Sequence, residues 1–285
     1  MKRRELIRDG LATGAFAGLT LPNFATAGSN PPSAVASAAL PIRLRSKEGE
    51  VELSRSLTDP NYWNGIEVER PTGELWDEFK IKPLNKGFLT HISGEGREDF
   101  DAEHVFQTAF KNQHHLPKHM SGAKAMRYFE RGVDRRFNVP FTDMLFLGDM
   151  DFFYCQFYQR NYRYELDDGR LICAFERMEA PYVGPKLWKE YEEMLSLTVD
   201  SVDKRWIFND VVPVTEAYGM YIIEPGQNYR SRVTLTAKLR FGIGTGLLAQ
   251  WGSELPFLVR TGTINGFNGS VAVCSRLKSG EYRMR

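Results

Sequence analysis

The chain has 285 residues, 37 Lys and Arg against 36 Asp and Glu, and a formal net charge of +1. That balance excludes the strongly basic face that phosphate backbones require, so no nucleic-acid partner is expected. Without the N-terminal leader described next, roughly 250 residues remain, slightly acidic and within the range of one large domain with a substantial core.

Residues 1–27 have the layout of a secretory leader. Lys2, Arg3, Arg4 and Arg8 form a basic start, and Leu11 to Leu21 a modestly apolar stretch. Ala25-Thr26-Ala27 then offers a small-x-small cleavage point, with a second at Ala36-Ser37-Ala38. The apolar stretch falls short of the ~20 residues that span a bilayer, so no stable transmembrane segment is expected. Arg3-Arg4-Glu5-Leu6-Ile7-Arg8 resembles the twin-arginine (Tat) signal, with Lys2 where a serine or threonine is usual. The resemblance implies transient engagement of the Tat translocase and a periplasmic or secreted product. The expected layout is a signal peptide over 1–27, a linker and N-terminal extension over 28–85, and the main domain over 86–285.

From Leu40 to Pro83 the chain is polar, with isolated anchors Tyr62, Trp63, Trp76 and Phe79, and reads as an extension laid over the main domain. Exposed together, Trp63 and Trp76 would instead form a docking patch. Gly87 to Ile92 is a strand candidate, and Asp101 caps a helix that places Val105, Phe106, Ala109 and Phe110 at helical spacing. His104, His114, His115 and His119 follow closely. His115 and His119 have the four-residue spacing of paired metal ligands, but Pro117 between them breaks the helix that the geometry needs. No metal or other cofactor is therefore expected. His104, His115 and His119, with Glu103 or Glu95, are the residues a metal would use.

Phe152 to Arg160 and Asn161 to Leu166 read as strands. Asp167-Asp168-Gly169 is a tight turn, and Leu171 to Phe175 returns. Further strands are expected at Met194 to Val199, Arg205 to Val212, Glu216 to Glu224 and Arg232 to Phe241, the last alternating cleanly. Gly242, Gly244 and Gly246 lack the trailing lysine of a phosphate loop and read as a bend. A helical pattern then runs from Leu247 through Pro256 and onward from Thr263 to Leu277. Asp149 and Asp151 flank Met150 before an aromatic strand. They are the acid–base candidates if the domain is an enzyme, and otherwise mark a turn. Cys155, Cys173 and Cys274 lack the paired spacing of zinc or redox sites. Buried free thiols are expected, with a Cys155–Cys173 bridge as the alternative.

This order is the helix-grip arrangement. Asp151-Phe152-Phe153-Tyr154, Tyr164 to Arg170, Gly219-Met220-Tyr221-Ile222-Ile223-Glu224-Pro225 and Ser231-Arg232-Val233-Thr234-Leu235 resemble motifs of the START lipid-transfer domains, within the wider polyketide-cyclase-like (SRPBCC) superfamily. The resemblance covers about residues 86–278. It implies an α+β fold, with a curved antiparallel sheet wrapped around a long C-terminal helix and a hydrophobic cavity between them. Candidate lining residues are Phe153, Phe157, Tyr162, Tyr164, Phe175, Tyr218, Met220, Leu239, Trp251 and Leu255, although alternation does not say which face of each strand points inward. The expected function is to bind or carry a lipid, sterol-like or aromatic compound. The alternative is a cyclase, isomerase or hydrolase in the same cavity, possibly metal-assisted.

Overall fold

A computed structural model describes residues 41–95, 102–120, 122–149, 154–201, 211–226, 231–241 and 256–284, all within one unit, Ala39–Arg285. Helix α1 (Lys47–Thr58) begins where the Ser46 side chain accepts the Gly49 N–H at 3.1 Å, with Glu48 and Glu50 at the positive end of the helix. Strands β1 (Val68–Glu69), β2 (Glu78–Pro83) and β3 (Phe88–Glu95) form a meander. Helix α2 (Ala102–Lys111) and a 3-10 helix (Gln113–Lys118) follow. Then come β4 (Ala123–Asp134), β5 (Val139–Asp149), β6 (Tyr154–Glu165), β7 (Leu171–Arg177), the single turn α3 (Ala180–Val183) and α4 (Pro185–Asp200). Strands β8 (Val211–Glu224) and β9 (Arg232–Phe241) lead to the long α5 (Pro256–Lys278).

The nine strands make one sheet in the order β1-β2-β3-β9-β8-β7-β6-β5-β4, with every neighbouring pair antiparallel. Beyond the end of the short β7, Tyr154–Gln156 of β6 runs parallel to Val211–Pro213 of β8. The expected helix grip is present, with α5 lying across the sheet. Several elements differ from expectation. Met194 to Val199, a β-branched stretch read as a strand, is the last turn and a half of α4, a helix started by Pro185 at its first position. The two strands expected from Phe152 to Leu166 are one continuous strand, β6. Pro256 stands at the first position of α5, where it costs no hydrogen bond, and the helix runs unbroken past Thr263. Asp101, the Arg205 side of the strand expected before β8, and residues 242–255 lie outside the described residues.

Both faces of the sheet are covered. On the inner face α2 and α5 bury Phe106, Phe110, Phe267 and Cys274 against Ile92, Leu171, Cys173, Tyr221, Val233 and Leu235. The C-terminal half of α5 adds Val273 and Leu277 against Met126, Met144 and Leu116. On the outer face Ile42, Leu44, Leu53 and Tyr62 cover Leu89, Tyr162, Tyr164, Ile172, Tyr218 and Met220. Further along, α4 covers Leu145 and Tyr158 with Tyr191 and Trp188. Gly49 lets α1 settle onto the sheet, since a Cβ there would stand 2.8 Å from Tyr218 Cγ. Among the described residues no helix is long and apolar enough to cross a membrane.

Candidate functional site

The space between the inner face and α2/α5 is nearly filled. A cavity of about 20 Å³ remains, lined by Val105, Thr108, Ala109, Tyr221, Val233, Phe267, Ser270, Val271 and Cys274. That is room for about one water molecule. One row of residues crosses this face in register: Thr142 of β5, Asn161 of β6, Phe175 of β7, Gly219 of β8, Ala237 of β9 and Thr90 of β3. The missing side chain at Gly219 admits the Phe175 ring beside it, and a Cβ there would also stand 2.7 Å from Thr236 O. At the far end of the row Thr90 takes a hydrogen bond from Thr263 of α5 at 3.0 Å.

Where α2 ends, the row meets a cluster of neutral amides. Gln159 Nε2 donates to Asn161 Oδ1 at 2.6 Å and to Gln113 Oε1 at 3.1 Å. Gln113 Nε2 and Thr142 Oγ1 donate to the free α2 carbonyls of Ala109 and Phe110, at 2.5 and 2.8 Å, which satisfies the end of the helix. Asn161 Nδ2 is less well placed, 3.3 Å from Thr142 Oγ1 and 3.5 Å from Met144 Sδ. The thiols on this face are neutral: burial pushes Cys155 up to about 12 and raises Cys173 further. All three cysteines are free and buried, so the alternative Cys155–Cys173 bridge is absent.

The outer face carries the charge. Arg160 grips Asp143 through Nε at 2.6 Å and Nη2 at 2.7 Å, and reaches Asp134 through Nη1 at 2.9 Å. Tyr158 donates to Asp143 at 2.9 Å, and Arg45 joins Asp134 at 3.0 Å. Glu176 accepts the backbone N–H groups of Arg45 and Ser46 and the Tyr162 hydroxyl, at 2.8 to 3.0 Å. Burial raises its pKa against those hydrogen bonds. Lys238, 1% exposed, pairs with Glu48 of α1 at 2.7 Å and with Glu216 at 2.8 Å. This network pins the segment from Ile42 to α1 onto the sheet.

By structure, the chain is similar to human StAR-related lipid transfer protein 5, with a TM-score of 0.53 at 14% identity over 82% of this chain and 97% of that one. The fold is the START helix grip. Human STARD10 is similar at a TM-score of 0.50 and 11% identity, over 76% of each chain. Such identities speak for architecture and leave function to the site. No family sequence profile matches the chain, and no curated protein matches it by sequence.

In a START grip the cavity faces the long C-terminal helix, and this sorts the expected lining. Phe157, Phe175 and Leu239 share the inner side of their strands; Phe157 and Leu239 pack with Cys155, Val214 and Phe241, and Phe175 packs on the core beneath α2 and α5. Tyr162, Tyr164, Tyr218 and Met220 do not line that space. They face outward, packed under the N-terminal segment, because an apolar strand position is equally at home beneath either cover. Phe153, Trp251, Leu255 and Asp151 lie outside the described residues. Asp149 ends β5 opposite Tyr154, on the outward side of the alternation.

The histidines take packing roles. His104 sits on α2, the His115 ring stacks on Tyr282 at 4.0 Å, and His119 Nε2 is 2.8 Å from the Tyr282 hydroxyl. Among the described residues no group of three or more His, Cys, Asp or Glu side chains is arranged to hold a metal ion. Trp76 is buried in the inner core while Trp63 packs beside His91 on the outer side, so the two make no common docking patch. Sequence reading missed the amides. Gln159 and Asn161, two positions apart in an otherwise aromatic strand, were the available signal.

Proposed function

We propose that this chain binds and carries a hydrophobic small molecule or lipid between the inner face of its sheet and helices α2 and α5. The observation that carries this reading is the chemistry of that face. It joins an extensive apolar core to polar groups that are all amides, hydroxyls or thiols. Acid–base catalysis needs a titratable group in the lining. Among the described residues, the buried charges stand on the other side of the sheet.

The 20 Å³ cavity means that a ligand enters by displacing a helix. The N-terminal part of α5 is the freer one, with Phe257 61% and Leu258 45% exposed. Burying an alkyl chain returns about 0.8 kcal/mol per methylene, so a long chain offsets the loss of several helix contacts. The reading extends to export: removal of residues 1–27 by way of the twin-arginine route, with the carrier acting in the periplasm, is supported by Arg3-Arg4 and the small-residue cleavage point.

Native mass spectrometry of the gently purified protein, followed by solvent extraction, tests the carrier. A discrete co-purifying apolar compound is expected. A protein that stays empty and takes up no apolar probe overturns the reading. For export, replacing Arg3 and Arg4 by lysine should leave the precursor in the cytoplasm, and continued secretion would rule out the Tat route.

A further inference from the structure

We infer that the ligand is an uncharged amphiphile whose polar end, a hydroxyl or carbonyl oxygen, accepts a hydrogen bond from Asn161 Nδ2 while its apolar body lies along Phe175 and Gly219. This rests on the binding reading above and adds the ligand's charge and the residue that reads it.

The first ground is where the sheet puts its charges. Among the described residues the buried charged side chains are Glu50, Asp134, Asp143, Arg160, Glu176 and Lys238. Each belongs to the network on the outer face or to the segment that the network pins there. At the rim of the inner face Arg163 pairs with Glu103 and Arg177 with Glu179, and these pairs are solvated. An ionised headgroup drawn inside would thus lose its water and meet no counter-charge, a penalty of several kcal/mol per ion. A neutral oxygen needs only one donor.

The second ground is the state of the Asn161 amide. The residue is 0% exposed. Its Oδ1 takes a short hydrogen bond from Gln159, whereas its Nδ2 has one long bond to Thr142 and one contact to a thioether, a weak acceptor. Gln113 and Thr142 are committed to the end of α2, so they hold the cluster in place without competing for a ligand. Asn161 Nδ2 is therefore the buried donor with most to gain from an oxygen. The register sets Phe175 directly beside it and Gly219 one strand further on, an apolar floor with a gap in it.

The test uses the full chain and three probes of one length below their micellar concentrations: hexadecane, hexadecan-1-ol and hexadecyl sulfate. Binding is read by native mass spectrometry and by displacement of the alcohol. The alcohol should bind at least about tenfold more tightly than the sulfate, and Asn161→Leu should weaken the alcohol about tenfold while leaving hexadecane unchanged. Sulfate binding equal to that of the alcohol overturns the inference and leaves the carrier intact. Equal loss of alkane and alcohol in the variant removes Asn161 from the recognition. If the variant does not fold, the wild-type comparison of alcohol with sulfate decides alone. If none of the three binds, the carrier reading itself falls.

Discussion

His91 makes the fold sensitive to acid in a way that can be calculated. It sits on β3, facing outward, with Nδ1 3.3 Å from Thr236 Oγ1, its ring 5.0 Å from that of Trp63, and Lys80 opposite it across the strand pair. Burial, and then the positive charge of Lys80, hold the imidazole down at about 4 against an ordinary 6.5, despite Glu78 nearby. Above pH 6.5 the ring is neutral in both folded and unfolded chains and carries no penalty. Between 6.5 and 4 only the unfolded chain takes up the proton, so stability falls as the pH drops through that window. At pH 4.5 the difference amounts to about 2.5 kcal/mol. Urea unfolding of the wild type and of His91→Gln, at pH 7.5 and 4.5, isolates this contribution, since the carboxylates titrate alike in both proteins. The wild type should lose about 2 to 3 kcal/mol more than the variant over that interval. Equal losses would show that the ring is solvated or already protonated, and the argument would fail.

Gly49→Ala should destabilise by about 1 to 3 kcal/mol, because its methyl meets the Tyr218 ring; faster proteolysis confined to residues 41–63 would locate the damage. Arg160→Met leaves Asp143 and Asp134 buried without their main partner and should cost about 3 to 5 kcal/mol in a denaturation experiment. The three thiols should be silent to a thiol reagent in the native protein and react together on unfolding, given their burial. A thiol that reacts at native rates would place its strand at the surface.

The sheet was legible where one side of a strand is wet or a turn is chemically obligatory. The strict alternation of β9 and the Asp168-Gly169 turn are examples, with Gly169 at φ 83°. Strands β4 and β5 gave no such signal. In β4, irregular pairing between Ala123 and Ala125 and between Tyr128 and Glu130 breaks the period of two, and a charged, exposed edge hides the rest. Helix α1 was missed because it is short, largely polar and held by tertiary contacts more than by its own pattern. For the site, alternation divides residues into two sets without naming the inner one. Tyr162 and Phe175 look equally apolar in sequence, and only the cover supplied by residues 41–63 separates them.

That cover also orders the steps of maturation. Residues 41–58 leave the ribosome early, yet Arg43, Arg45 and Glu48 are bound by Tyr164, Glu176 and Lys238, which lie 121, 131 and 190 positions downstream. Contacts so distant along the chain close late. The stretch synthesised just after the leader must wait for the last strand, and until it docks, Tyr162, Tyr218 and Met220 stand bare. Nascent chains of this protein therefore pass through a state with an uncovered aromatic face, the state on which a chaperone would act, and docking of α1 marks its end.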